Sequence, residues 1–243
     1  MQPLVWPHRT FRPRAQEWSV QGASQEGGRP QVGGTPQRIL FGGGGLNVAK
    51  LNDIHLRTRE HFAAWHALAM QLDNGAVPII VPRCARRSTP LLPTVDISSI
   101  SHSDGAYFDD DTGYSAGGVG SVVLADAGFR ATTLRVRIAG GRPLIGGEPF
   151  SFLHPNAGWR IYRVATVVTE QTGSFGADYA ITFRTPLRER VSAGDDMEWR
   201  LPRCVMRLSD PNGMTLTEDL GRFADASVTF VEDLTVFASD LGF

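Results

Sequence analysis

The chain has 243 residues, a length that fits one large domain or two small ones and is sufficient to bury a hydrophobic core. Its 24 basic and 25 acidic residues leave a formal net charge of −1, which excludes the broad basic face of a protein that binds nucleic acid in bulk. The 27 Gly and 15 Pro residues are typical of a folded, turn-rich protein rather than of a low-complexity chain.

Membrane insertion and a cysteine-based scaffold are both excluded by simple counts. The longest uncharged apolar stretch, residues 76–81, is far shorter than the roughly 20 residues that span a bilayer. The first residues lack the basic and apolar regions of a secretory signal, so we expect synthesis in a cytoplasm. Cys84 and Cys204 are too few for a disulfide framework or a four-thiolate zinc site.

Residues 1–55 are interrupted by clusters of Gly and Pro. Helices cannot extend between such closely spaced breakers, so short strands joined by loops are predicted, for example at 17–21 and 38–41. The glycine run at 42–45 is predicted to be a flexible turn, because it lacks the lysine and the following helix of a phosphate-binding loop. This part of the chain is therefore expected to be extended and partly exposed.

Large aromatic residues are spread through this irregular opening. Trp6, Phe11 and Trp18 lack a strong core pattern, and we expect them to be exposed and to bury themselves against a neighbouring molecule. Together with Arg38 and Phe41, they form the predicted interface. Residues 1–50 are accordingly expected to supply much of the contact between subunits.

A single principal helix is predicted at residues 58–73. Thr58 can cap its first turn, Glu60 lies where the helix dipole favours a carboxylate, and Asn74 with Gly75 supplies the stop. Apolar residues recur at steps of three and four, which predicts one stripe that packs on a sheet. The stripe consists of Phe62, Trp65, Ala69 and Leu72.

The rest of the chain has the pattern of a β protein. A short apolar run at 77–82 follows the helix, and alternation is clear at 133–138, where Leu134, Val136 and Ile138 share one face. Further strands are predicted at 121–125, 159–168, 179–183 and 227–232. The predicted fold class is mainly β with one principal helix.

Two short segments resemble each other, since 81–87 and 201–207 share the pattern apolar-Pro-Arg-Cys-x-x-Arg. One explanation is that the chain leaves a first domain at one copy and returns at the other, because an inserted domain needs these two points close together. The predicted division is a discontinuous domain of residues 1–84 and 204–243 with an inserted β domain of residues 85–203. Cys84 and Cys204 would then be neighbouring thiols. Chance similarity of the two segments is the other explanation.

Possible metal ligands are explained more simply as surface residues. The acidic turn at 109–111 loosely resembles the start of a calcium loop, but Gly120 stands where that loop needs a bidentate Glu. His55, His61 and His66 surround the helix, but the last two are five residues apart and point away from each other. We interpret the acidic turn as solvated and the three histidines as polar side chains of the helix region. We predict no metal and no cofactor.

Catalytic residues are not predicted either. A nucleophilic Cys84 or Cys204 with His102 or His154 as its base has no support from spacing, and packing explains the cysteines better.

Several features of the chain resemble the distal tail proteins at the tail tip of long-tailed bacteriophages. They are the opening with Trp18, Gln21 and a Gly-rich loop, the helix that leads to Val77 and Pro78, the segment 181–188, and the closing segments 201–208 and 228–232. The resemblance implies a β-sandwich of the tail-tube type with one flanking helix, which assembles as a hexameric ring. An additional β domain is common in this family, and no catalytic residues carry over.

The resemblance also implies partners and a location. The ring would join the tail tube protein to the baseplate hub and other tail-tip proteins in the virion, and an inserted domain could touch a host surface glycan. Near-zero net charge permits such packing without strong self-repulsion.

Two other functions stay open at the level of sequence. A carbohydrate-binding β-sandwich would use Trp159, Tyr162 or Trp199 as a stacking platform, although core packing explains these rings equally well. A cell wall hydrolase would pair the carboxylates at 109–111 with Glu148 or Asp178.

Overall fold

The fold is described from a computed structural model, for residues 4–22, 24–27, 38–84, 90, 120–139, 141–173, 176–216 and 224–235. The described part of the chain is mostly β, with 51% of its residues in strands and one α-helix, which confirms that the protein is mainly β with one principal helix. The strands in chain order are β1 (Pro13–Gln21), β2 (Ser24–Glu26), β3 (Arg38–Leu40), β4 (Leu46–Leu56), β5 (Ile79–Pro82), β6 (Gly120–Val123), β7 (Thr133–Ala139), β8 (Pro149–His154), β9 (Gly158–Gly173), β10 (Gly176–Phe183), β11 (Arg203–Leu208) and β12 (Ala224–Glu232).

The strands form two five-stranded sheets and a separate ribbon. The first sheet has the order β1-β4-β12-β11-β5 and the second has the order β6-β7-β10-β9-β8, with antiparallel neighbours throughout. Strands from the two ends of the chain therefore build the first sheet, and strands from its middle build the second. The ribbon consists of β2 and β3 alone. The division into two domains with boundaries at 84 and 204 stays a prediction.

The α-helix, α1 (Arg59–Gln71), begins one residue after and ends two residues before the predicted bounds of 58 and 73. Thr58 Oγ1 accepts a hydrogen bond of 3.3 Å from the backbone N–H of His61, which satisfies one of the free donors of the first turn. A short 3₁₀ turn at Asp73–Gly75 ends the helix, with φ of 52° at Asn74 and 89° at Gly75. Asn and Gly tolerate this left-handed backbone, which explains why the helix stops there.

Helix α1 packs on the first sheet through Trp65, Leu68 and Leu72, which are all buried. Trp65 also donates a hydrogen bond of 3.0 Å from Nε1 to the carbonyl of Met214. Phe62 and Ala69 of the predicted stripe are only partly buried against the same core. The amphipathic helix is thus confirmed, with Leu68 as a member that the prediction missed.

The N-terminal aromatic residues belong to the core of the first sheet. Trp6 and Phe11 are 1% and 0% exposed, and their rings lie 6.1 Å and 5.4 Å from that of Trp65. Backbone hydrogen bonds fix this segment, because Trp6 N–H donates to the carbonyl of Ile80 and Ile80 N–H donates to that of Leu4. The expectation that Trp6 and Phe11 are exposed is therefore wrong.

A second core fills the other sheet and is centred on aromatic rings. Phe150 stacks on Tyr162 with ring centroids 5.6 Å apart, and Trp199 lies 5.2 Å from Phe150. Ring pairs at these separations add attraction beyond the burial of their area. Strand β8, which supplies Phe150, was not predicted.

Strand β4 is the longest strand of the first sheet and was also missed. It begins directly after the glycine run at 42–45, whose turn is closed by a hydrogen bond of 3.1 Å from Gly44 N–H to the carbonyl of Phe41. Gly44 has φ of 70°, and a Cβ there would lie 2.2 Å from Cδ of Pro186. Glycine is required at this position because the turn packs against the loop after β10.

The two Pro-Arg-Cys segments lie side by side. Cys204 pairs with Val81 across β11 and β5, and Arg83 N–H donates a hydrogen bond of 2.7 Å to the carbonyl of Pro202. Cys204 is buried, whereas Cys84 is exposed, and both are free thiols. In the parts of the chain described above, no helix is long and apolar enough to cross a membrane.

Candidate functional site

The β2–β3 ribbon stands apart from both sheets. It extends the hairpin of β1 and β4 beyond its last pair, Gln21 with Leu46, and pairs Ser24 with Leu40 and Glu26 with Arg38. Every residue of the two short strands is exposed. A two-stranded ribbon is marginally stable by itself in water, so a partner surface would stabilise it.

Three consecutive apolar residues lie on this ribbon and its end. Ile39, Leu40 and Phe41 are 51%, 71% and 47% exposed, and Val20 at the end of β1 is 43% exposed. Single exposed apolar residues are ordinary, but a contiguous group marks a surface that other molecules bind. We call Val20, Ile39, Leu40 and Phe41 the ribbon patch.

The predicted interface residues fall into two groups. Arg38 and Phe41 lie on the exposed ribbon, and their role in an interface stays a prediction. Trp18 is partly buried against the first core, with the Arg83 guanidinium 5.8 Å from its ring centroid. Trp6 and Phe11 lie in the core and offer no surface to a neighbour, because packing against α1 already buries them.

A buried ionic cluster joins the two sheets, and sequence reasoning missed it. The carboxylate of Glu232, at the end of β12, is fully buried and accepts hydrogen bonds from Asn47 Nδ2 at 2.8 Å and from the Asn47 backbone at 3.0 Å. Arg188, which follows β10, donates to the same carboxylate from Nε and Nη2, both at 3.1 Å. Residues from both sheets thus share one buried negative charge.

Two further contacts extend the cluster. Arg160 of β9 is 1% exposed, lies 3.8 Å from Glu232 Oε1 and donates to the carbonyl of Asp233 at 2.5 Å. Arg188 also donates to the carbonyl of Gly45 at 2.6 Å, which ties the turn before β4 to the second sheet. Because every bond is between groups of this chain, we interpret the cluster as structural.

The alternation of β12 contains the signal that could have identified this cluster. Val228 and Phe230 are buried at every second position, and the same period places Glu232 on the buried face. A carboxylate at a core position needs cationic or donor partners, which Asn47 and Arg188 supply here.

His154 and Tyr162 form a second buried polar pair in the second sheet. The Tyr162 oxygen accepts a hydrogen bond of 3.0 Å from the Arg188 N–H and lies 2.9 Å from Nε2 of His154. Burial, with a smaller effect of Arg160, lowers the pKa of His154 to about 4, and burial raises the pKa of Tyr162. Neutral His154 can therefore accept a hydrogen bond from the hydroxyl group of Tyr162.

This pair predicts a loss of stability in acid. The pKa of His154 falls from 6.5 to about 4 on folding, so the unfolded chain binds the proton first. The stabilisation that depends on neutral His154 is fully present above pH 6.5 and is lost as the pH falls towards 4. We expect His154 to remove about 2–3 kcal/mol of unfolding free energy between roughly pH 7 and 4.5. Urea denaturation at both pH values measures it.

The control for this prediction is His154→Gln, whose amide oxygen can accept from Tyr162 without titrating. The variant should lose less stability than the wild type over the same pH interval. Equal losses in both proteins would show that His154 is not responsible.

The candidate catalytic groups have structural partners or lie outside the described residues. Burial raises the pKa of the Cys204 thiol, which disfavours the reactive thiolate. Glu148 accepts hydrogen bonds from the N–H groups of Ile145 and Gly146, and Asp178 pairs with Arg137 at 2.7 Å. The acidic turn at 109–111 and His102 lie outside the described residues.

The histidines around the helix are not brought together as ligands. His55 forms a hydrogen bond with Asp225, and the ring of His61 faces the backbone N–H of Arg57. Among the residues that the structure describes, no group of three or more His, Cys, Asp and Glu could hold a metal ion.

Carbohydrate binding would need the ring faces of Trp159, Tyr162 or Trp199 at the surface. Tyr162 and Trp199 are each 2% exposed within the second core, and Trp159 lies partly buried with the Arg203 guanidinium 5.0 Å from its ring centroid. Tyr162 and Trp199 are therefore core residues, which is the second of the two explanations that the sequence leaves open.

Comparison with known proteins adds no assignment. No family model matches the chain, and no curated protein is significantly similar to it.

Proposed function

We propose that this protein is a structural component of a bacteriophage tail tip, and that its copies assemble through the β2–β3 ribbon into a ring. The proposal rests on the resemblance of the sequence to distal tail proteins and on the ribbon patch. The ring, of six copies by that resemblance, would join the tail tube protein to the baseplate hub and neighbouring tail-tip proteins.

The ribbon patch is the observation that carries this proposal. Ile39, Leu40 and Phe41 are half to three-quarters exposed on a ribbon that contacts neither core. Burial of such residues supplies about 25 cal/mol for each Å² of apolar surface removed from water. A contact between this ribbon and a neighbouring copy would therefore be favourable.

A ring also needs a contact that is not symmetric between two copies. A projecting ribbon that binds a different surface of the next copy is such a heterologous contact, and repeated contacts of this kind close when the rotation closes. The ribbon is continuous with β1 and β4 of the first sheet, so its contacts would fix the orientation of that sheet in the ring.

The test is the assembly state of the wild type and of a variant with Ile39→Ser, Leu40→Ser and Phe41→Ser. We expect rings of the wild type, alone at high concentration or with tail tube protein, and monomers of the variant. Light scattering gives the mass, and negative-stain imaging shows the rings.

A matched control distinguishes the effect of the ribbon patch from the effect of removing exposed apolar surface anywhere on the protein. Ile145, in the loop before β8, and Val168 of β9 are 87% and 61% exposed, so Ile145→Ser with Val168→Ser removes comparable apolar surface elsewhere. This control should assemble like the wild type. A wild type that never forms rings, or a ribbon variant that still does, would contradict the proposal.

A further inference from the structure

A cavity of about 210 Å³ lies between β1 of the first sheet and β9 of the second sheet. Trp18 of β1 forms part of its wall, and three arginines line it: Arg83 after β5, Arg163 of β9 and Arg184 after β10. The cavity borders both features described above: Val20 of the ribbon patch forms part of its wall, and Asn47 lies between the cavity and the buried ionic cluster.

These three arginines have no acidic partner in the described part of the chain. The Arg83 guanidinium lies 5.8 Å from the Trp18 ring centroid, and Arg163 Nη2 donates only to the Trp18 carbonyl, at 3.3 Å. The side chain of Arg184 makes no hydrogen bond or ion pair with the described residues. Each guanidinium therefore has N–H donors that no described residue accepts from.

The arrangement contrasts with that of three other arginines on strands of the two sheets. Arg135, Arg137 and Arg207 each pair with a carboxylate, at distances of 2.5 to 2.9 Å. At the cavity, by contrast, the pKa of Arg83 is lowered to about 10, first by burial and then by the positive charge of Arg163. Like charges brought together and partly removed from water are unfavourable unless an anion compensates them.

We propose that this cavity is a binding site for a small multivalent oxyanion of the phosphate class. Arg83, Arg163 and Arg184 supply the donors, and planar guanidinium groups match the oxygen geometry of such anions. The volume of about 210 Å³ admits one such anion with water, since a water molecule takes about 30 Å³.

Both sheets contribute to this site, so an anion bound there would also strengthen their contact. Arg163 comes from the second sheet and Trp18 from the first, and they are already joined by a hydrogen bond. Binding to the folded protein alone raises its thermal stability in proportion to the logarithm of the ligand concentration. The site is proposed independently of the ring.

The experiment titrates the full chain with inorganic phosphate at constant ionic strength, by calorimetry and by thermal unfolding. We expect saturable binding and a rise in Tm of roughly 5 °C when phosphate exceeds Kd about 100-fold. Arg163→Gln and Arg184→Gln should each weaken binding by about tenfold, which corresponds to the loss of one charge-assisted contact.

Arg184→Gln is the variant least able to disturb the fold, because its side chain is exposed and makes no contact that folding requires. Arg142→Gln is the matched control, since Arg142 is exposed and does not line the cavity. It should bind phosphate like the wild type. The proposal is overturned if chloride at the same ionic strength raises Tm equally, or if Arg184→Gln and Arg163→Gln bind phosphate with unchanged Kd.

Discussion

Glu232→Gln should lower the free energy of unfolding by about 3–5 kcal/mol, because it removes the negative charge that Arg160 and Arg188 share. The side chains of these two arginines are only 1% and 10% exposed, so neither can regain full hydration when the carboxylate is replaced by an amide. Removing one partner of a buried ionic group costs far more than the group contributes as a whole. Urea denaturation of the variant at neutral pH measures the loss.

The matched control is Glu170→Gln, which removes a carboxylate from the exposed pair with Arg135. Exposed pairs contribute about 0–1 kcal/mol, so this variant should unfold almost like the wild type. If both variants lost the same small amount, the cluster between the sheets would not be a determinant of stability.

Trp6→Ala should have an effect of similar size, about 3–5 kcal/mol, because it leaves a cavity among Phe11, Trp65 and Phe230. The ring of Trp6 lies 5.4 to 6.1 Å from the other three and is 1% exposed. The result would show that the N-terminal segment is part of the folded core. Thermal and urea unfolding of the full chain measure it.

Two controls distinguish the loss of core packing from the loss of the indole N–H and from the loss of an exposed ring. The indole N–H of Trp6 has no hydrogen-bond partner in the structure, so Trp6→Phe removes volume only and should cost about 1–2 kcal/mol. Phe129→Ala, at a ring that is 67% exposed, should change stability by less than about 0.5 kcal/mol. A Trp6→Ala variant as stable as Phe129→Ala would contradict the core position.

The features that the sequence predicts are those with local causes. Thr58, Asn74 and Gly75 fix the two ends of the helix through the backbone beside them, and the observed helix lies within one or two residues of the predicted one. The alternation of Leu134, Val136 and Ile138 likewise depends only on the geometry of a single strand.

The features that the sequence does not predict depend on residues that are distant in the chain. Strand β4 contains Asn47, Lys50 and Asp53, which interrupt its apolar alternation, yet it is held between β1 on one side and β12 on the other. Trp6 packs on Trp65 and Phe230, which are more than 50 positions away and which no local pattern indicates. Tertiary pairing therefore overrides weak local preference in both cases.

The same reasoning applies to the candidate sites. Arg38 and Phe41 were selected from the sequence and lie on the exposed ribbon, because short segments between glycines seldom enter a core. The arginine cavity could not be predicted, because Arg83, Arg163 and Arg184 come together only when the two sheets pack.

The hydrogen bond between Arg83 and Pro202 has a consequence for how this protein tolerates change. The chain leaves the first sheet and comes back to it through neighbouring peptide groups, so we expect the alignment of β5 and β11 to tolerate a longer or shorter region between them. Such a junction would allow one middle region to be exchanged for another by recombination. The exchange would also need an arginine equivalent to Arg188 opposite Glu232, since that contact crosses the boundary.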